Sequence, residues 1–287
     1  MSRSGFKLYR PNALTSSVVF ASPHSGREYA WSFMRRSALS DLTIRSSEDA
    51  FVDMLIERAP EFGAPLLCAT VPRAFVDLNR SAEELDPALI EGVRRGGHNP
   101  RVASGLGVIP RVVANGRAIY RGKMSQAEAS KRLNDYWHPY HAELSSVLHE
   151  AHSAFGNAIL VDCHSMPREA LDGVIRRNEK RPDVVLGDRF GASASGYIVD
   201  QIEAAFASAG FAVSRNTPFA GAYITQTYGR PSRQQHAIQV EIDRSLYMNE
   251  ATLTPSTSFG SVKKALTAVL AEISDIGRER VVPLAAE

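Results

Sequence analysis

Two histidines follow apolar segments that have the character of buried strands. His24 lies in Ser-Pro-His-Ser-Gly at 22–26, and His164 lies in Val-Asp-Cys-His-Ser at 161–165. In open α/β sheets, binding sites form beyond the carboxyl ends of the strands. Two histidines and a nearby carboxylate are a common ligand set for a catalytic zinc ion. The pattern therefore predicts a metal-dependent hydrolase; the alternative is a globular protein with two structural core histidines.

Glu241 is a candidate general base. It lies in the alternating segment Ile-Gln-Val-Glu-Ile-Asp at 238–243, which places three polar side chains on one face of a strand. A carboxylate beside a metal ion and a water molecule can accept a proton from that water. The competing interpretation is an ordinary strand with one face toward solvent.

Two arginines, Arg73 and Arg80, are candidates for binding a carboxylate. They lie in Pro-Arg-Ala-Phe-Val-Asp-Leu-Asn-Arg at 72–80. A guanidinium group can bind a carboxylate through two parallel hydrogen bonds, so an arginine at a strand end could hold a carboxylate substrate. The alternative for both arginines is a structural ion pair with Asp77 or Asp162.

Four other histidines do not have the spacing that a metal site needs. His149 and His152 are three residues apart, whereas the zinc-protease motif H-E-x-x-H places its histidines four apart. We interpret these two, together with His138 and His141 on the same predicted helix, as polar groups on an exposed face.

Strand-like and helix-like segments alternate along the chain, which predicts an α/β layered fold that positions these residues. Ser125 and Glu128 form a capping box at the start of a long helix that bends near Pro139 and ends at Gly156. Asn115-Gly116 predicts a hairpin within 112–120. The predicted strands are 17–21, 65–71, 74–78, 158–163, 184–186, 211–214 and 237–242, and the predicted helices are 47–62, 125–155, 195–209 and 259–276.

The whole chain, 1–287, is predicted to form a single domain, because it contains no internal repeat, no low-complexity linker and no break in composition. Its Gly- and Arg-rich part, about 91–122, is predicted to be a long loop or hairpin excursion over the functional face, since long loops in compact domains tend to be functional.

The composition argues against several classes of partner. A net charge of +2 gives no indication of a nucleic-acid or membrane partner, and no apolar stretch approaches the roughly 20 residues that span a bilayer. The N-terminal residues lack the apolar region of a secretory signal. Cys68 and Cys163 lie in apolar strand-like segments, so we expect both to be reduced and buried, as in a cytoplasmic protein. Cys163 also faces away from His164, which argues against a thiol nucleophile.

The polar strand ends also carry a resemblance to a known family. The sequence resembles the N-formylglutamate amidohydrolase family in a series of short segments that occur in the family's order and span about four-fifths of the chain. No single segment is decisive, but together they are specific. The segments are 22–26 (SPHSG), 48–53, 76–80 (VDLNR), 161–165 (VDCHS), 185–191, 217–225, 236–241 (HAIQVE) and 247–250.

This resemblance implies a fold and a cofactor. The family is similar to the zinc carboxypeptidase and aspartoacylase group, which implies a three-layer α/β/α domain with a central mixed, mostly parallel sheet (phosphorylase/hydrolase-like). It also implies zinc-dependent amidase chemistry with one Zn²⁺ ion. Because histidine and carboxylate ligands accept other divalent ions as well, the choice of zinc rests on the resemblance.

The resemblance also implies a metal-ligand set. His24 and His164 correspond to the two histidine ligands. Carboxypeptidases have their acidic ligand three residues after the first histidine, but that position is not acidic here. Asp49, at the start of the next predicted helix, is therefore the expected acidic ligand, with Glu48 and then Glu28 as alternatives.

The remaining site residues are assigned in the same way. Glu241 corresponds to the glutamate that acts as base and proton shuttle, and Arg73 is expected to stabilise the developing oxyanion. Asn79 and Arg80 correspond to a pair that binds the substrate carboxylate. Tyr223 and Thr225 are expected to contribute to that binding.

The implied reaction is hydrolysis of N-formyl-L-glutamate to formate and L-glutamate at the end of a histidine breakdown route. One alternative is a zinc deacylase or carboxypeptidase-like amidase acting on another N-acyl amino acid or a peptide. Ala222 keeps this alternative open, because many family members have glycine there. A second alternative is a catalytically silent protein that binds carboxylates.

Overall fold

A seven-stranded sheet forms the centre of the computed structural model, which describes residues 5–94, 99–173 and 181–278. The strands lie in the order β1-β3-β2-β4-β7-β5-β6, and neighbours are parallel except in the β1–β3 and β5–β7 pairs. The predicted mixed, mostly parallel sheet is therefore confirmed. The strands are β1 (Phe6–Tyr9), β2 (Val18–Ser22), β3 (Leu66–Ala69), β4 (Ala158–Met166), β5 (Val184–Gly187), β6 (Val213–Arg215) and β7 (Gln235–Asp243), and a separate pair is formed by β8 (Met248–Asn249) and β9 (Thr254–Pro255).

Helices cover both faces of this sheet. One face packs against α3, α7 and α9, and the other packs against α5, α6 and α8. This arrangement confirms the predicted α/β/α layers. The helices are α1 (Trp31–Arg36), α2 (Asp41–Ile44), α3 (Val52–Leu55), α4 (Pro100–Ala103), α5 (Gln126–Arg132), α6 (His138–Phe155), α7 (Gly196–Ser208), α8 (Tyr223–Tyr228) and α9 (Phe259–Ile276). Within the described ranges, no helix combines the length and the apolarity needed to cross a membrane.

Successive side chains of β4 and β7 lie on opposite faces of the sheet, and His164 and Glu241 share one of these faces. Val161 and Cys163 in β4, and Val240 in β7, belong to the core under α7 and α9. The intervening residues, His164 and Glu241, point to the other face because successive strand residues alternate. The two are directly opposite each other in the parallel β4–β7 register.

One predicted strand, 74–78, is wrong. These residues form turns, in which Pro72 O accepts hydrogen bonds from the main-chain N–H groups of Phe75 and Val76. Asp77 closes a further local turn, because its Oδ1 accepts the N–H of Asn79 at 2.9 Å. Such local hydrogen bonds compete with strand pairing.

The predicted helix over 47–62 is also wrong as a continuous element. It is replaced by a 3₁₀ turn at Arg45–Ser47, the short α3, and a second 3₁₀ turn at Ala59–Phe62. The main-chain N–H of Asp49 donates to His24 O at 3.0 Å rather than to a helical partner. Phe51 adopts a left-handed conformation with φ of 67°, which interrupts helical geometry before α3 begins.

The long helix predicted over 125–155 is confirmed with one modification. The side chain of Ser125 accepts the N–H of Glu128 at 3.2 Å, and Gly156 ends α6 with φ of 73°. Between α5 and α6, residues Leu133–Trp137 form a π-helical turn just before Pro139. The hairpin predicted around Asn115-Gly116 is reduced to a single antiparallel bridge.

Candidate metal centre and strand-end cavity

His24 lies in a tight loop directly after β2. The loop packs closely against the chain that follows β3, because a Cβ on Gly26 would lie only 2.1 Å from Val71 O. Only glycine allows this approach of two backbones. The hydroxyl of Ser22 also donates to Ser25 within the loop at 2.9 Å. The histidine is consequently fixed at the carboxyl end of the parallel strands.

His164, near the end of β4, faces His24 with 4.7 Å between the ring centroids. Asp49 Oδ2 lies between them, 2.9 Å from His164 Nδ1 and 3.5 Å from His24 Nδ1. All three residues are at least 98% buried. Among the described residues, these three form the group of His, Cys, Asp or Glu whose ligand atoms are close enough to share one ion.

The geometry of this trio fits a tetrahedral zinc ion. Ligand bonds of 2.0–2.1 Å at tetrahedral angles place ligand atoms about 3.3 Å apart, and the two observed distances from Asp49 Oδ2 lie on either side of that value. His24 Nδ1 is buried and has no hydrogen-bond partner among the described residues. A buried nitrogen normally has a partner, so a cation coordinated by His24 Nδ1 accounts for this atom.

Each histidine is supported by a carboxylate on the far side of its ring. His24 Nε2 donates to Asp77 Oδ1 at 2.7 Å, and His164 Nε2 donates to Asp162 Oδ2 at 3.0 Å. Histidine ligands of metal ions typically donate their second N–H in this way, which fixes the ring orientation and leaves the other nitrogen for the metal.

The acidic member of the trio is held by Arg244. The guanidinium Nη2 of Arg244 lies 2.9 Å from Asp49 Oδ1, which leaves Oδ2 to face the histidines. Burial alone would raise the pKa of Asp49, but its contacts with His164 and His24 hold that pKa well below its usual range. Asp49 is therefore ionised at neutral pH, as a metal ligand must be.

The two alternative acids lie outside the trio. Glu48 is buried, but its carboxylate pairs with Arg45, with Nε to Oε1 at 3.0 Å. Glu28 is exposed and lines a different cavity. The structure thus brings together His24, Asp49 and His164 as the candidate ligand set.

A cavity of about 300 Å³ opens at this end of the sheet, and we call it the strand-end cavity. Its walls include His24, Asp49 and His164, which we call the metal trio, together with Glu241, four arginines and the loop that precedes α8. The lining residues are His24, Asp49, Arg73, Asn79, Arg80, Arg101, His164–Pro167, Pro218–Ala222, Gln239, Glu241 and Arg244.

Glu241 is positioned by its strand neighbour Gln239. The amide Nε2 of Gln239 donates to Glu241 Oε1 at 2.8 Å, while its Oε1 accepts the main-chain N–H of Ala222 at 3.1 Å. Burial raises the pKa of Glu241 to about 7, although His164 and Arg73 act to lower it. A carboxylate with such a pKa can take up and release protons near neutral pH.

The four arginines of the cavity differ in their partners. Arg73 Nη2 pairs with Asp77 Oδ2 at 3.0 Å, and Arg244 pairs with Asp49. Arg80 donates only to main-chain carbonyl groups, those of Leu106 and its neighbour Asn79. Neither Arg80 nor Arg101 has a carboxylate within 4.0 Å in the described part of the chain.

Arg80 and Arg101 also repel each other. Burial lowers the pKa of Arg80, and Arg73 and Arg101 lower it further against the opposing effect of Asp77. Two guanidinium groups at one cavity without an acidic partner favour an anionic ligand.

The family of the chain follows from comparison with known proteins. The sequence profile of the family described as N-formylglutamate amidohydrolase matches residues 16–248. The chain belongs to the N-formylglutamate amidohydrolase family. It is 31% identical over 243 residues to an N-formylglutamate deformylase of Pseudomonas aeruginosa, with 81% of this chain and 83% of that protein covered. It is 28% identical over 239 residues to an N-formylglutamate deformylase of Pseudomonas putida, with coverage of 81% and 82%.

One solved structure supports the same family, and a second supports the fold. The N-formylglutamate amidohydrolase from Ralstonia eutropha superposes with a TM-score of 0.89 at 33% identity, covering 96% of this chain and 98% of that one. A gene product from Agrobacterium tumefaciens shares the fold, with a TM-score of 0.62 at 17% identity and coverage of 95% and 97%.

Most of the site residues expected from the family resemblance lie at the strand-end cavity, but two do not. Thr225 is fully buried and its hydroxyl donates to Ala222 O at 2.9 Å. Tyr223 packs against Trp137 and His141, outside the cavity lining. Both residues lie on α8, and neither is among the residues that line the strand-end cavity.

Four residues that support or line the strand-end cavity were not assigned to it from the sequence. Asp77 and Gln239 stood out as polar residues in apolar surroundings, but the contacts that they make depend on the folded loops. Arg244 directly follows β7, so its position at the end of a strand could have identified it as a candidate site residue. Arg101 lies within the Arg-rich segment predicted to cover the site, and nothing in its local sequence distinguishes it from its neighbours.

Proposed function

We propose that this protein is a zinc-dependent amidohydrolase that releases formate from N-formyl-L-glutamate. The observation that carries this proposal is the buried trio of His24, Asp49 and His164 beside Glu241, in a cavity with two arginines that have no carboxylate partner among the described residues. The curated relatives named N-formylglutamate deformylase act as independent support for the substrate.

The proton transfers are assigned to Glu241. The chemistry that zinc supplies when bound is a lowered pKa for water, toward about 7, and polarisation of a carbonyl group. Ionised Glu241 accepts the proton of the attacking water and later delivers it to the leaving amine nitrogen. Gln239 holds the Glu241 carboxylate in position through its 2.8 Å hydrogen bond.

The arginines are assigned two different tasks. Arg73, anchored on Asp77, keeps part of its guanidinium group at the cavity and stabilises the oxyanion that develops on the formyl carbonyl. Arg80 and Arg101 bind the two carboxylates of N-formyl-L-glutamate, with Asn79 lining the same wall. This division agrees with the partners of these arginines, because Arg73 pairs with Asp77, whereas Arg80 and Arg101 have no carboxylate within 4.0 Å among the described residues.

Ala222 affects which acyl group of the substrate fits in the strand-end cavity. It is buried, it lines the cavity, and its N–H is held by Gln239. A methyl group at this position narrows the cavity beside Glu241, which favours a small formyl group over larger acyl groups.

An assay of the released acid, formate from the formyl compounds and acetate from the acetyl compound, tests the proposal. The protein is incubated with N-formyl-L-glutamate, N-formyl-L-alanine and N-acetyl-L-glutamate, each before and after chelation and again after zinc is restored. We expect fastest release from N-formyl-L-glutamate, loss after chelation and recovery with zinc. Preferential cleavage of the acetyl compound would favour a different deacylase, and no cleavage by zinc-loaded protein would favour a silent carboxylate-binding protein.

A further inference from the structure

A second cavity lies at the opposite end of the same two central strands. It has a volume of about 550 Å³, and we call it the strand-start cavity. Ala158 and Gln235, the first residues of β4 and β7, form its floor, and one face of α6 forms a wall. None of its lining residues contributes to the metal trio or to the strand-end cavity.

Aromatic rings form one wall of the strand-start cavity. The rings of Trp137 and His141 lie 4.1 Å apart, and the rings of His141 and Tyr228 are nearly parallel, at 5°, with 6.0 Å between their centroids. His141 is buried rather than exposed as predicted, and this burial lowers its pKa to about 4, so its ring is neutral. A row of neutral and aromatic rings provides a surface for a flat molecule.

The strand-start cavity is also lined by hydrogen-bond donors that have no acidic partner among the described residues. His236 is 95% buried, and its Nδ1 accepts the main-chain N–H of Ser195 at 3.2 Å. Since burial also lowers the pKa of His236, the neutral ring carries its hydrogen on Nε2. No described residue accepts a hydrogen bond from that Nε2.

Arg230 supplies the positive charge of the strand-start cavity. No carboxylate of the described residues lies within 4.0 Å of its guanidinium group, and none of the residues that line the cavity is acidic. The cavity volume is within the range of small-molecule sites. A guanidinium group and an imidazole N–H together form a site for a carboxylate.

We propose that the strand-start cavity binds a small planar carboxylate. The carboxylate group is bound by Arg230 and by the Nε2–H of His236, and the flat body of the molecule packs against Trp137 and Tyr228. This site is distinct from the proposed hydrolytic site and does not depend on that function.

Two hydrogen bonds connect this cavity to the strand-end cavity. His141 Nε2 donates to Leu78 O at 2.9 Å, and Trp137 Nε1 donates to Arg80 O at 2.9 Å. The two carbonyl groups flank Asn79, whose side chain lines the strand-end cavity. A molecule that shifts this wall therefore shifts residues 78–80, and any coupling between the two sites is reciprocal.

Tryptophan fluorescence can report binding directly. The chain has two tryptophans, and Trp31 is 72% exposed in α1. In a Trp31→Phe protein, the zinc-loaded enzyme is titrated with benzoate, acetate or inorganic phosphate while the emission of Trp137 is followed. We expect a saturable change with benzoate, a much weaker one with acetate, and none with phosphate.

Matched variants locate the bound probe. Arg230→Gln should weaken benzoate binding by about tenfold or more, because a charge-assisted hydrogen bond is lost, whereas Arg80→Gln at the strand-end cavity should leave it unchanged. Absence of saturation in the millimolar range would overturn the proposal. So would equal responses to phosphate and benzoate, or a response that Arg80→Gln abolishes and Arg230→Gln does not.

The coupling is tested separately by kinetics. If the assay described above finds formate release, saturating benzoate should change the KM for N-formyl-L-glutamate, and Arg230→Gln should remove the change. A KM effect that persists in Arg230→Gln would mean that benzoate competes at the strand-end cavity and would overturn the coupling. The fluorescence titration needs no activity, so failure of the hydrolytic proposal leaves it interpretable.

Discussion

The strand-end and strand-start cavities lie at opposite ends of β4 and β7 but are built differently. At the strand end, His24 and His164 are each held by a carboxylate, and Arg244 and Arg73 are paired with acids. At the strand start, the cavity contains four histidines and one arginine but no acidic residue. A carboxylate that accepts a hydrogen bond from one nitrogen of a histidine ring leaves the other nitrogen available to bind a cation. Hydrogen-bond donors that have no acidic partner favour an anionic ligand instead.

The largest effect is expected from removing a ligand of the metal trio. His164→Ala should eliminate zinc binding and lower kcat/KM by at least about 10⁴-fold, because the cation supplies both charge stabilisation and an activated water. Metal analysis and the formate assay measure this. His149→Ala at the strand-start cavity is the matched control and should keep its metal and its activity. Full zinc occupancy in His164→Ala would contradict the ligand assignment.

Replacing the general base should lower the rate of catalysis but leave metal binding unchanged. Glu241→Gln keeps the shape of the side chain but removes the proton acceptor, so we expect kcat to fall by about 10²- to 10⁴-fold. Zinc content should not change. An active Glu241→Gln enzyme would exclude this residue as the base.

The same residue should determine the acid side of the pH profile. Burial raises the pKa of Glu241 to about 7, and a bound cation acts in the opposite direction. Glu241 must be ionised to accept a proton, so kcat/KM should rise with pH to a plateau, with a midpoint no higher than about 7. The profile is measured on wild type and Glu241→Gln. A wild-type profile whose activity falls as pH rises from 5 to about 7 would contradict this role.

A smaller effect is expected at the exposed edge of the strand-end cavity. We assign Arg101 to the side-chain carboxylate of the substrate, so Arg101→Gln should raise the KM for N-formyl-L-glutamate by about tenfold through the loss of one hydrogen bond. The KM for N-formyl-L-alanine, which has one carboxylate, should change much less. Equal KM changes for the two substrates would show that Arg101 does not distinguish them.

The smallest effect is expected at Cys163. Its side chain lies in the core under α7 and α9, on the face of β4 opposite His164. Cys163→Ala should therefore keep kcat/KM within about twofold while lowering the free energy of unfolding by about 1 kcal/mol. Thermal unfolding and the formate assay measure the two quantities, and a large loss of activity in a folded, zinc-loaded variant would contradict this placement.

Residues in regular strands were predictable from the sequence. The alternation around His164 and Glu241 correctly placed them on the face of the sheet opposite Cys163 and Val240, because side-chain direction follows from the two-residue period of a strand. The family resemblance supplied the candidate ligands and base, and the fold brought His24, Asp49 and His164 together as that resemblance implied.

Residues in turns were less predictable. Asp49 was expected at the start of a helix, but it lies in a turn tied to His24 O, and Phe51 has a positive φ that propensity gives no reason to expect. The strand predicted at 74–78 failed because local hydrogen bonds to Pro72 and Asp77 outcompete sheet pairing there. Tyr223 and Thr225 matched a family segment, but neither is among the residues that line the strand-end cavity.

The most direct test of the account is anomalous X-ray diffraction at the zinc absorption edge from crystals of the zinc-loaded protein. The account predicts a peak about 2.0–2.2 Å from His24 Nδ1, His164 Nδ1 and Asp49 Oδ2. A peak at any other set of side chains, or no peak near these three in protein with full zinc content, would contradict it.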